Sequence, residues 1–333
     1  MLALGLGLVI PTTCQNDAQS VRVPCHTTAT LEDYVVCLQE YIPRGNTDGF
    51  TKPSVSIIKS WRHIIDKMVA GQCDRAIHLP PFLQRIYQVQ TFTDRENGQR
   101  YCVLMEIADH ALPLGKVDYG WGTVIVNPNA KRELHIQIPH PQYEPGTARQ
   151  GMLVFQKSQA RSFTLAGTHR NSSKQHSLCQ QRFKASDPTH NVQHLFHITT
   201  ATLHAHYQKR NTPFVVVQFH GKPFYACKDA DVYMSYGNNV APNAGSPLSV
   251  LQEHLRQSNP AWKVHVPGGP ATCPYHGSDN VQSRLMNGVP HDQVCHTDSV
   301  ETSERFLHIV QAPGPYRDPT YWIDAINAAF PVQ

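Results

Sequence analysis

From Gly120 onward the chain alternates short β-rich runs with helical segments, and this rhythm limits what it can fold into. The runs fall at 122–126, 133–139 (ELHIQIP), 162–166, 214–219 (FVVVQF), 231–235, 262–266 and 306–310, with helical segments at 147–159, 192–208, 246–257 and 321–330. A run as continuously apolar as FVVVQF cannot leave one face in water. The pattern therefore predicts an α/β fold with a mostly parallel or mixed central sheet and helices on both faces. Upstream, 30–41 and 54–70 carry apolar residues at helical spacing, the first with Thr30 as a cap ahead of Glu32 and Asp33. Residues 87–93 and 99–107 alternate around Asp94-Arg95-Glu96-Asn97-Gly98, whose Asn-Gly step signals a hairpin. The expected organisation is a candidate signal segment at 1–20, a helical and hairpin N-terminal part at 21–119 packed on the core, and an α/β core at 120–333.

With 333 residues the chain can bury a sizeable core. Only 16% of them are charged and the net charge is +4, which excludes a charged disordered polymer and a basic nucleic-acid binder. The nine cysteines form no Cys-x-x-Cys pair, which argues against a zinc ribbon, a thioredoxin-type site and an iron–sulfur cluster and favours dispersed disulfides. An odd count leaves one thiol over, with Cys14 the candidate because a cleavage would remove it. The apolar stretch Met1 to Ile10, followed by Pro11 and Thr12, is like the core of a secretory signal, and Asn171-Ser172-Ser173 is a glycosylation sequon. A secreted glycoprotein is expected. No apolar run is long enough to span a bilayer.

Twenty histidines are the unusual entry in the composition, and their positions matter more than their number. His140 follows ELHIQIP, His169 follows RSFTLAGT and His220 ends FVVVQF. Ligands of open α/β sheets bind outside the carboxyl ends of strands, so these termini can share one crevice. His140 and Glu144, separated by a short loop, can reach one zinc ion, with His220 supplied by a later strand and Gly221 allowing metal or substrate close to the backbone. Glu144 can equally be an N-terminal charge on the helix at 147–159. His169 is a candidate proton carrier, His190 a candidate third imidazole ligand or general acid, and Arg170 and Arg284 are candidate binders of a carboxylate or oxyanion. Asp187 reads as an ordinary helix cap. His194, His197, His204 and His206 contain no HExxH and read as packing, while His308 shares a strand face with Phe306 and Val310 as a core or supporting residue. Without GxSxG, Walker A or GxGxxG, serine-hydrolase, NTPase and nicotinamide chemistries lose their usual support.

The run from Glu133 to Arg170, followed by Thr189-His190-Asn191 and Gln218-Phe219-His220-Gly221, resembles uncharacterised secreted bacterial and fungal proteins. More distantly it resembles zinc-dependent amidohydrolases of the carboxypeptidase-like superfamily, including N-formylglutamate amidohydrolases and poly-γ-glutamate hydrolases. The resemblance covers roughly the last two-thirds of the chain. It implies a phosphorylase/hydrolase-like fold holding zinc by His140, Glu144 and His220. The family's usual pair is His-x-x-Glu, whereas Tyr143 occupies that spacing here and the carboxylate comes one residue later. The family's late-strand general base has no counterpart, because the run at 306 offers Val310 and Gln311, with Glu301 and Glu304 upstream. The expected function is a secreted zinc hydrolase that cleaves an amide in a small molecule or a polymer. A phosphoesterase using His169 and Arg170, or a non-catalytic secreted binding protein, are the alternatives. No nucleic acid or membrane partner is expected.

Overall fold

The computed structural model describes residues 25, 27–73, 77–107, 119–271 and 273–332; the candidate signal segment and Cys14 lie outside the described residues. Helix α1 (Leu31–Glu40) starts where Thr30 Oγ1 accepts the Asp33 amide, and α2 (Val55–Val69) where Ser54 Oγ accepts the Ile57 amide. A short α3 (Pro81–Gln84), not anticipated from the sequence, leads into β1 (Tyr87–Thr93) and β2 (Arg100–Glu106), an antiparallel hairpin in register from Tyr87–Glu106 to Thr93–Arg100. The chain continues through β3 (Thr123–Val126), β4 (Arg132–Ile138), α4 (Thr147–Lys157), β5 (Ala160–Leu165), α5 (Leu195–Lys209), β6 (Val215–Gly221) and β7 (Val232–Ser235). It ends with α6 (Pro247–Ser258), β8 (Val264–His265), α7 (Val281–Met286), β9 (Phe306–Gln311) and α8 (Pro319–Ala329).

The strands form one sheet in the order β1-β2-β3-β5-β4-β6-β9-β7-β8. Its centre, β5-β4-β6-β9, is parallel, while β3 is antiparallel to β2 and β5, and β7 is antiparallel to β9. The sheet is therefore mixed, and the N-terminal hairpin is continuous with it through β2. Side chains alternate between two apolar layers. Leu134, Ile136 and Ile138 of β4, with Phe219 and Ile309, pack against α1, α4, α6 and α8. Val216 and Phe306 instead join Trp61, Ile65 and Ile198 of α2 and α5 on the other face.

That second face also buries polar side chains: His135 and Gln137 of β4, Gln218 of β6 and His308 of β9. Buried polar atoms need partners, so these residues point to a built network rather than to filler. The connectivity shows where it leads. From β4 the chain crosses through α4 to β5 on one side, then through α5 to β6 on the other side of β4. This reversal opens a crevice at the carboxyl ends of β4 and β6.

Disulfides Cys25–Cys37, Cys73–Cys102, Cys179–Cys295 and Cys227–Cys273 fit a protein of an oxidising, extracellular compartment. Among the described residues no helix is long and apolar enough to cross a membrane.

Candidate functional site

Past the end of β4 the backbone makes one helical turn, in which the amides of Tyr143 and Glu144 both donate to the His140 carbonyl at 3.1 and 2.8 Å. A turn of this kind brings both residue i+3 and residue i+4 near residue i. Here it is Glu144 that faces His140, with Oε1 2.9 Å from Nδ1, while Tyr143 is largely exposed. The carboxylate at His-x-x-x-Glu spacing thus reaches the imidazole. Glu144 Oε2 accepts the Gly221 amide at 3.0 Å and lies 3.4 Å from His220 Nδ1. Its carboxylate thus points into the crevice and does not cap α4, whose N-cap is Gly146. His140, Glu144 and His220 are all buried, and their ligand atoms lie within 4.8 Å of one another, so the group could hold a metal ion.

Hydrogen-bond polarity fixes where the protons sit. Thr200 Oγ1 donates to the Phe196 carbonyl, so it accepts from Gln137 Nε2 at 2.6 Å. Gln137 Oε1 then accepts from Gln218 Nε2 at 2.8 Å, leaving Gln218 Oε1 to accept from Asn280 Nδ2 at 2.6 Å and from His220 Nε2 at 2.7 Å. His220 therefore carries its hydrogen on Nε2, and the bare lone pair of Nδ1 faces the Glu144 carboxylate. Burial holds His220 below the usual histidine range, against the opposing pull of Glu144, so the ring is neutral. Two acceptors face each other across 3.4 Å, an arrangement that calls for a cation between them.

Asp187 organises the other side. Its Oδ1 takes His140 Nε2 at 3.1 Å, the Thr189 hydroxyl at 2.8 Å and the Thr189 amide at 3.2 Å, with His190 Nδ1 3.1 Å away, and its Oδ2 meets Arg170 Nη2 at 2.6 Å. Burial alone would raise this carboxyl, but Arg170, His190 and His140 hold it well below the carboxylate range. Glu144 behaves likewise: burial would raise it, and His140 and His220 hold it far down. For His140, burial and Arg170 act downward, and the two carboxylates outweigh them and raise it. Carboxylate oxygens face both ring nitrogens of His140, Glu144 Oε1 at 2.9 Å and Asp187 Oδ1 at 3.1 Å, a setting that favours the imidazolium.

The cluster opens into a cavity of about 640 Å³ whose wall includes Arg170, His190, Lys222, Asp279 and His308. His190 stacks on Phe183, and its Nε2 lies 3.6 Å from Asp279 Oδ1. His308 lies 4.5 Å, centre to centre, from His220, and its Nδ1 has no hydrogen-bond partner among the described residues; burial keeps it neutral. His169 does not line this cavity. Its Nδ1 accepts the Asn171 amide and its ring meets Tyr143 edge-on, because the chain turns outward after β5. Arg284 is also elsewhere, held by the Ser278 and Val294 carbonyls and by Asp298, where it ties a loop to α7. The close approach at Gly221 comes from this chain's own Arg317: a Cβ there would sit 2.3 Å from Arg317 Nη2. His194, His197 and His206 are buried packing residues of the α5 region. Sequence reasoning did not single out Gln218 or Asp279, since a glutamine inside an apolar strand and an aspartate before a short helix carry no distinctive spacing.

No family model matches this sequence, and no curated protein matches it. A crystal structure of a gene product from Agrobacterium tumefaciens is similar to 60% of this chain and 90% of its own, at 12% identity and a TM-score of 0.36.

Proposed function

We propose that the chain is a secreted zinc-dependent hydrolase that cleaves an amide bond. The observation that carries this reading is the bare Nδ1 of His220 facing the Glu144 carboxylate, with the outer ring nitrogens of both histidines already held by Gln218 and Asp187. Such outer partners set the tautomer and orientation of metal-binding imidazoles. Two imidazole nitrogens and one carboxylate oxygen are a donor set suited to zinc, with His140, Glu144 and His220 as holders. Bound there, the ion would polarise an amide carbonyl and lower the pKa of water toward ~7. Arg170, oriented by Asp187, offers the cavity a guanidinium that favours negative charge developing on the carbonyl oxygen. His190, set between Asp187 and Asp279 on the same wall, can carry a proton to the departing nitrogen. The phosphoesterase alternative pairs His169 with Arg170, and only Arg170 reaches the cavity.

Metal analysis by mass spectrometry on untagged protein tests the site. About one zinc per chain, absent from His140→Ala and His220→Ala, is expected; amide turnover abolished by a chelator then tests the reaction. A protein that takes up no zinc when it is offered would refute the reading, and zinc without turnover on any amide would leave a binding protein.

A further inference from the structure

Aromatic side chains are concentrated at the mouth of this cavity. Among the described residues the exposed phenylalanine and tyrosine side chains are Phe82, Tyr143, Phe224, Tyr225 and Tyr275, and Tyr143, Tyr225 and Tyr275 all line it. These three are 53, 77 and 43% exposed, and Phe224, beside Tyr225 in sequence, is 65% exposed. Exposed apolar faces gathered at one cleft mark a binding surface, whereas isolated ones do not. They are also held in place. Cys227–Cys273 links the loop of Phe224 and Tyr225 to the loop of Tyr275. Across the mouth, Tyr143 lies between the His169 ring at 5.3 Å and the Arg170 guanidinium at 5.4 Å.

Two observations restrict what covers these rings. Most of the wall's polar groups are already partnered, since Arg170 pairs with Asp187 and Arg182 with Asp279, while the Lys222 ammonium donates to the Ala226 carbonyl and keeps its charge. Such a wall supplies many hydrogen-bonding groups and, among the described residues, no unpaired carboxylate row for a basic peptide, which suits a ligand rich in hydroxyls. In addition, β4, β6 and β9 are paired on both sides, and the free edges of the sheet are β1 and β8. A peptide chain would find no strand edge here for its backbone. Rigid aromatic faces beside many hydrogen-bonding groups match sugar rings, whose C–H faces stack on aromatic planes while their hydroxyls take the hydrogen bonds.

We propose that the cavity mouth is a glycan-binding subsite, and that the amide presented to His140, Glu144 and His220 belongs to an N-acylated amino sugar within a chain. The amide half rests on the hydrolase reading above; the sugar half rests on the mouth alone. Cleavage would break the acyl C–N bond, with water supplying hydroxyl to the acyl carbon and a proton to the nitrogen, leaving a free amine on the sugar and a carboxylic acid.

The test is calorimetric titration of the full chain with the β-1,4-linked tetramer of N-acetylglucosamine and, separately, with an N-acetylated tetrapeptide. Tyr225→Ala, Tyr275→Ala and His140→Ala are compared with the parent, with circular dichroism as the folding check. The tetramer should bind the parent, bind each tyrosine variant at least about tenfold more weakly, and still bind His140→Ala. Chelator-sensitive acetate release should accompany binding in the parent. Failure to bind the tetramer, equal binding by both tyrosine variants, or tyrosine-dependent binding of the tetrapeptide alone would overturn the proposal. Tyrosine-dependent tetramer binding with no turnover of any amide would refute the hydrolase reading and keep the subsite. Turnover of other amides without tetramer binding would do the reverse.

Discussion

Replacing Asp187 by asparagine keeps the shape of the side chain and removes the charge on which Arg170, His140 and His190 converge. The carboxamide oxygen can still accept from His140 Nε2, but the NH2 group beside it would then face the Arg170 guanidinium, donor against donor. Hydrogen bonds to charged groups contribute about 1.5–3 kcal/mol, and breaking a fully buried ion pair costs about 3–5 kcal/mol. Arg170 is 20% exposed and can recover some hydration, which places the expected loss near 2–3 kcal/mol. Because the folded carboxyl titrates well below its ordinary range, its stabilisation is present above the unfolded pKa of about 4 and disappears as pH falls through the folded value. Asp187 also orients His140, so zinc affinity should fall by about 10–100-fold. Urea unfolding with and without zinc measures the first quantity, and competition against a chromophoric chelator measures the second. An Asp187→Asn protein with the parent's urea midpoint and zinc affinity would refute the reasoning. So would a double variant with Arg170→Met whose losses simply add, because residues in one network should couple.

Zinc loading near neutral pH should release up to about one proton, because the carboxylates at both ring nitrogens of His140 favour the imidazolium and the ion would displace one of its hydrogens. Calorimetry in buffers of different ionisation enthalpy reads that number, and a value of zero contradicts the proton assignment. Gly221→Ala should lose about 1–3 kcal/mol in urea unfolding. The added Cβ strikes the Arg317 guanidinium, which is anchored to the Pro145 and Gln311 carbonyls, and an unchanged midpoint would show that Arg317 moves freely. Burial pushes Glu106 up to about 7 despite the amides of Tyr119, Trp121 and Gly120, so the folded state binds its proton more tightly than the unfolded one. Its contribution is complete below the ordinary value of 4.5 and is lost as pH rises through 7, by about 3 kcal/mol. Urea midpoints of the parent minus those of Glu106→Gln between pH 4.5 and 8 should show this slope, and a flat difference would rule it out.

The strands were legible because runs such as FVVVQF report burial on both faces, and the first two helices because Thr30 and Ser54 mark their starts. Direction was not legible: β3 and β7 have four residues each, too few to say that they run against their neighbours, and the run at 262–266 keeps only Val264–His265 as strand. Helix α7, six residues long, is below one readable hydrophobic period. His140, Glu144 and His220 could be grouped from strand ends alone. His169 and Arg170 could not be separated, because which of two adjacent side chains faces the crevice depends on a turn fixed by distant contacts, such as the His169 amide bonding to the Pro43 carbonyl.

The chain of hydrogen bonds from the Phe196 carbonyl through Thr200, Gln137 and Gln218 to His220 runs in one direction only. Its members therefore depend on one another as a block. A lineage that keeps His220 working cannot drift at Gln137 or Gln218 singly, since a hydrocarbon in the middle would leave two buried polar groups unpaired. A lineage that abandoned the site could replace all of them together at little loss of stability. If the site is functional, paired glutamines on otherwise apolar neighbouring strands should persist together with His220 among its relatives.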